Sequence, residues 1–132
     1  MSVRPALAKL NHSDVRQRRR AVRHLFELND PDALNGFEKL LDDPDPWFRE
    51  KALEAIEKWA ASKDLVLIEK LSQSRENNRR LLAARIAIRA GGAGQVILRK
   101  LSSDDEPNIR LAAWTARINS DESCFAEAMV VE

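Results

Sequence analysis

A sequence that repeats itself about every 31 residues cannot gather around one central core. Each unit is too small to bury its apolar face alone and must bury it on the next. In these 132 residues four segments superimpose: Asp14 to Val22, Asp45 to Leu53, Glu76 to Ala84 and Glu106 to Trp114. Arg18, Arg49, Arg80 and Arg110 hold the register at steps of 31, 31 and 30. Three residues after each comes Ala21, Ala52, Ala83 or Ala113, and an acid opens each copy at Asp14, Asp45, Glu76 and Glu106. Leu40, Leu71 and Leu101 keep the same step upstream.

Each unit reads as two helices. Asp30 before Pro31 and Asp45 before Pro46 put an N-cap acceptor ahead of a proline at the first helical position. Leu34, Phe37, Leu40 and Leu41 follow the helical apolar period. First helices are predicted over about 3–10, 31–42, 64–73 and 93–102, and second helices over about 14–29, 45–61, 76–90 and 106–119. The repeats then occupy 1–29, 30–61, 62–91 and 92–119 of one domain, 1–132, with a C-terminal cap or ninth helix over 120–132. No alternating Val/Ile/Thr run signals a strand. Asn35-Gly36 has a hairpin's composition but sits inside a helical pattern, so Gly36 reads as a close-packing or weak helix position. Gly91, Gly92 and Gly94 read as a helix C-cap and turn.

The pattern from Leu41 to Leu53, Leu-x-Asp-x-Asp-Pro-x-x-Arg-x-x-Ala-Leu, resembles the HEAT repeat in its short form of about 30 residues. That resemblance implies an all-α fold, a right-handed α-α superhelix of about four helix pairs plus a C-terminal helix. It also implies first helices on a convex side and second helices lining a concave one. It says little of function, because one fold hosts many tasks.

On a helical wheel Arg18 points with Val15, Ala21, Val22 and Leu25, and Arg49 points with Ala52, Leu53 and Ile56. A buried guanidinium needs an anionic or carbonyl partner. The recurring acids Asp14, Asp45, Glu76 and Glu106 have the period to supply one. Arg18, Arg49, Arg80 and Arg110 are therefore expected to form an internal ladder with them, as in similar HEAT proteins.

Other arginines lie elsewhere on the wheel. Arg16, Arg19, Arg20 and Arg23 cluster on the solvent side of their helix. Arg85 and Arg89 take the matching arc in the third copy, with Arg75 and Arg79 near its start, and Trp47 offers an exposed anchor. The net charge is +1, yet residues 1–29 carry +5, 30–74 carry −5, 75–100 carry +6 and 101–132 carry −5. Two basic blocks thus alternate with two acidic ones, either as a solvated face with salt bridges or as a site for phosphates or an acidic peptide. Glu50 and Glu54 interrupt a continuous nucleic-acid track. In the fourth copy the arc turns apolar, with Leu111, Ala112, Thr115 and Ile118. Phe125, Met129, Val130 and Val131 could cap that end; otherwise it would join a partner, a second copy or further downstream repeats.

Catalytic patterns are missing from the sequence. No Gly-rich loop precedes Lys-Ser or Lys-Thr, and no His-Glu pair matches the metal site of HEAT-built hydroxylases. Cys124 is the single cysteine, which excludes an intramolecular disulfide and fits a reducing cytoplasm. Apolar runs fall short of a membrane span. The reading is a cytoplasmic, non-enzymatic binding or adaptor module with no cofactor or metal, holding an acidic protein surface on its arginine-rich second-helix face. The alternatives are a phosphate-backbone binder of structured RNA or duplex DNA, and an accessory subunit of an enzyme complex. No membrane partner is expected, and a homodimer through the C-terminal end is a further arrangement.

Overall fold

Aspartate and proline start the helices at the positions the sequence assigns to them. Asp14, Asp30 and Asp45 are N-caps whose carboxylates accept the backbone N–H groups of Arg16, Asp32 and Trp47 at 3.0, 2.9 and 2.9 Å. Pro31, Pro46 and Pro107 each stand first in their element, where a missing N–H costs nothing. The structure is a computed structural model and describes residues 3–120. The expected cap over 120–132, with Cys124, Phe125, Met129, Val130 and Val131, lies outside the described residues apart from Ser120.

The described residues are all-α. The helices are α1 (Arg4–Lys9), α2 (Val15–Leu28), α3 (Leu34–Lys39), α4 (Pro46–Trp59), α5 (Leu65–Ser72), α6 (Asn77–Ile86), α7 (Gly91–Leu101) and α8 (Pro107–Ser120). Short 3-10 turns at Pro31–Ala33, Leu40–Asp42, Ser62–Asp64 and Ala87–Ala90 absorb the chain direction changes around α3, before α5 and after α6. The chain forms two compact units that divide between Ala60 and Ala61, each holding two helix pairs.

In the first unit α1 packs on α2 and α3 on α4. Val22, Leu25, Phe37, Phe48 and Ile56 are fully enclosed. Gly36 lets α3 approach α1: a Cβ there would lie 2.5 Å from Leu7 Cδ2 and 3.0 Å from Leu10 Cδ1. Phe26 stacks on Trp59 at 5.3 Å, and Phe37 tilts against both rings at 5.2 and 5.8 Å. The Trp59 indole also donates to Asn29 Oδ1 at 3.0 Å. Asn29 closes α2 in the left-handed conformation, φ 50°, which Asn tolerates better than most residues. Trp59 thus ties the end of α2 to the second helix pair.

In the second unit α6 lies against α5 and α8, and α7 against α8 and the Ala87–Ala90 turn. The glycine run differs from its expected role. Gly91 does turn the chain, with φ 64°. Gly92, Ala93 and Gly94, however, belong to the first turn of α7. Gly94 is needed because a Cβ would collide with the Ala87 carbonyl oxygen, so two backbones meet there. The stretch Asn77–Leu101 contains an 18-residue window of mean hydropathy 1.4, enough by length and composition for a membrane span. The fold breaks it at Gly91 into α6 and α7, roughly 15 and 16 Å long, each about half of a bilayer core.

Candidate binding surfaces

The loops before the second helices decide which arginines are occupied. His12, Asp43, Ser74 and Asp104 recur at the repeat step, six residues before each ladder arginine. Each accepts the N–H of the residue two places on: His12 Nδ1 from Asp14 at 3.0 Å, Asp43 from Asp45 at 2.9 Å, Ser74 from Glu76 at 3.1 Å and Asp104 from Glu106 at 3.0 Å. Arg49, Arg80 and Arg110 then bind back to these loops. Their Nη1 groups donate to the carbonyl oxygens of Asp43 and Pro44, Ser74 and Arg75, and Asp104 and Asp105, at 2.7–3.0 Å. Arg18 instead donates to the Leu10 carbonyl at 2.9 Å.

The carboxylate partners are not the expected ones. Arg18 pairs with Asp43 and stands 4.0 Å over the Phe48 ring. Arg80 holds Asp104 through Nε at 2.9 Å and Nη2 at 3.2 Å. Asp14 and Asp45 instead cap their own helices, and the second oxygen of Asp45 goes to Arg19, not to a ladder arginine. Glu76 pairs with Arg79 at 3.0 Å, and Glu106 accepts from the Asn77 amide at 3.1 Å. The partner lies two residues upstream of the cap, where it faces the preceding copy's guanidinium. Each of the two rungs lies inside one unit. Ser74 gives the third copy no carboxylate at that position. The signal was in the sequence as a fifth periodic column, obscured because its four side chains differ in chemistry while sharing an acceptor.

These contacts set the titration of the pairs. Burial alone would raise the Asp43 carboxyl. The Asp45 N–H, the Arg18 hydrogen bond and the charges of Arg18 and Arg49 outweigh it, and the group is held below the usual carboxylate value. Burial likewise opposes ionisation of Asp104, and Arg80, the Glu106 N–H and Arg110 pull it lower. Its hydrogen bond to Asp104 raises Arg80 in turn.

With the ladder filled, the candidate binding residues sort by what they touch. Arg16, Arg20 and Arg23 are exposed on α2 and have no side-chain partner among the described residues. Arg19 is drawn off this group, with Nη2 3.6 Å from Asp45 and its guanidinium 5.5 Å from the Trp47 ring. Trp47 is half-buried, edge-on to Phe48 at 5.0 Å, with Lys51 Nζ 5.5 Å from its ring on the same helix. It is a support for cations more than a free anchor. Arg20 and Arg23 border an open hollow of about 390 Å³ between α1 and α2, with Lys9, Gln17, His24 and Glu27 on its rim. In the next copy Gln17 and His24 are replaced by Phe48 and Ala55, which are fully buried. The hollow is therefore finished with polar side chains where a stacked repeat presents apolar ones.

In the second unit Arg75 and Arg85 are exposed, and Arg89 is exposed in the 3-10 turn after α6. Arg79 is tied to Glu76 and largely covered. A groove of about 610 Å³ runs between α6 and α8 with Arg85 on its edge. The sequence reading missed Arg117. It is 2 % exposed, at the position that Leu25 and Ile56 fill in other copies. Its Nη1 donates to Ser102 Oγ at 2.8 Å and its guanidinium lies 4.2 Å over the half-buried Trp114 ring. Spacing of seven from Arg110 was the available sign of an inward side chain.

The model of HEAT repeats matches residues 3–89, two thirds of the chain. The chain belongs to the HEAT-repeat family. HEAT repeats generally mediate protein–protein interaction and typically serve as non-enzymatic scaffolds. No curated protein matches this sequence. Among the described residues no group of three or more His, Cys, Asp or Glu side chains is placed to hold a metal ion.

Proposed function

We propose that this HEAT-repeat chain is an adaptor that holds an acidic surface of a partner protein on the exposed side of α2. The observation that carries the reading is the state of Arg16, Arg20 and Arg23: exposed and without side-chain partners among the described residues, beside a ladder whose arginines are all engaged. Side chains left free to solvent are available for bidentate contact with carboxylates. Arg19 and Lys51 flank Trp47 beside this surface but are already paired with Asp45 and Glu54. The same arginines suit phosphates, which keeps duplex DNA or structured RNA as the competing ligand.

An affinity pull-down with the full chain and with an Arg16/Arg20/Arg23→Glu variant tests this. The variant is expected to lose its protein partner while its circular dichroism stays unchanged, because none of the three side chains supports the core. Retention of the partner refutes the choice of face. Titration with duplex DNA and structured RNA at about 50 mM salt separates the readings, since phosphate contacts dominate there. Binding to either with a steep salt dependence favours the competing one.

A further inference from the structure

The groove between α6 and α8 is a second surface, with chemistry unlike that of α2. It is lined by Ala84, Ala112 and Ala116 with the larger Leu81, Ile88 and Leu111, and Asn108, Thr115 and Asn119 add polar groups on the α8 side. Leu111 is 67 % exposed and Ile88 37 %, a high exposure for large apolar side chains facing one channel. Alanines along a channel between two helices let a third helix approach closely, while the leucine and isoleucine walls grip its apolar stripe. The exposed charge along the middle of the groove is positive. Neither α6, the Ala87–Ala90 turn nor α8 contains an acidic residue, and Arg85 and Arg89 are their exposed cations, whereas Arg79 and Arg80 are held by Glu76 and Asp104, Arg110 by loop carbonyls, and Arg117 is buried. Arg85 stands at the groove edge without a side-chain partner among the described residues.

We infer that this groove docks an amphipathic helix of a partner protein whose polar face is acidic. The apolar stripe lies on Ala84, Ala112 and Ala116, and carboxylates on the flank meet Arg85. The inference shares the partner class of the proposed function but does not rest on it, because the residues are in the other unit.

The probe is a fluorescein-labelled synthetic helix with leucines at i, i+3, i+4 and i+7 and glutamates elsewhere. Its binding to the full chain is read by anisotropy. It is expected to bind, and a scrambled peptide of the same composition and a lysine-for-glutamate version are expected to bind at least about ten-fold more weakly. Leu111→Glu places a charge against the apolar stripe of the docked helix and is expected to weaken binding about ten-fold or more. Arg85→Glu is expected to weaken it about three- to ten-fold, less as salt rises. Both sites are exposed, so the fold is expected to survive, and circular dichroism checks this. The Arg16/Arg20/Arg23→Glu chain is expected to bind the peptide unchanged, which separates failure of this site from failure of α2. Equal binding of the scrambled or basic peptide, no binding, or full retention by Leu111→Glu overturns the proposal. So does light scattering that shows a dimer lost in Leu111→Glu, since the occupant is then a second copy.

Discussion

Trp59→Ala is expected to destabilise the first unit by about 3–5 kcal/mol, the range for deleting a large buried aromatic. Three losses coincide at this position. The indole leaves a cavity beside Phe26 and Phe37, both of whose rings it touches. Aromatic pairs contribute about 0.5–1.5 kcal/mol beyond their buried area. The Asn29 side chain loses its donor, and with it one restraint on the left-handed residue that ends α2. At roughly 0.05–0.15 kcal/mol per residue, a unit of 60 residues folds with a margin of about 3–9 kcal/mol. The substitution therefore removes most of that margin. Urea titration followed by far-UV circular dichroism measures the effect, and a loss below about 1 kcal/mol would show that the cluster is not a keystone. Trp59→Phe keeps one ring against Phe26 and Phe37 but loses the rest of the indole and the bond to exposed Asn29, so it is expected to cost less, about 1–2 kcal/mol.

Asp104→Ala is expected to cost about 2–3 kcal/mol at neutral pH, the scale of hydrogen bonds that involve a charged group. The carboxylate holds two elements at once, Arg80 of the preceding copy and the Glu106 N–H at the start of α8. Its loss frees the loop and leaves the Arg80 guanidinium with carbonyls and Asn77. The effect is pH-dependent with a definite sign. The folded state lowers the affinity of Asp104 and Asp43 for protons. The unfolded chain therefore binds protons first as pH falls, and stability drops with them. The contribution is complete above the ordinary aspartate value near about 4 and is lost as pH falls from there through the lower folded values. Thermal melts between neutral and strongly acidic pH are expected to show the native chain falling through this window. The Asp43→Asn/Asp104→Asn double variant is expected to start lower and change less, so the two curves converge in acid. Parallel curves would remove the two rungs from the pH dependence.

The ladder marks where sequence reasoning stopped. The periodic arginines were visible because one residue type recurs in one column. Their carboxylate partners were not, since Asp43 and Asp104 share a column with His12 and Ser74. What unites that column is an acceptor atom aimed at an N–H two residues on, a property of loop geometry that residue identity does not reveal. The nearer acids Asp14 and Asp45 looked equally suitable by period but cap their own helices, and Asp45 turns its other oxygen to Arg19.

Most helix positions, the pairing of helices and the family were decided by the sequence alone, the boundary between α6 and α7 being the exception. Caps, prolines and the apolar period are local, and four copies report the same pattern. Tertiary packing decided which cations are free. Arg19 was drawn toward Asp45 and Trp47 and Arg117 into the core, while Arg16, Arg20, Arg23 and Arg85 stayed in solvent without partners among the described residues. The reason is physical. A charge count treats all arginines alike, whereas their availability depends on which carboxylates, carbonyls and rings come within reach across neighbouring helices.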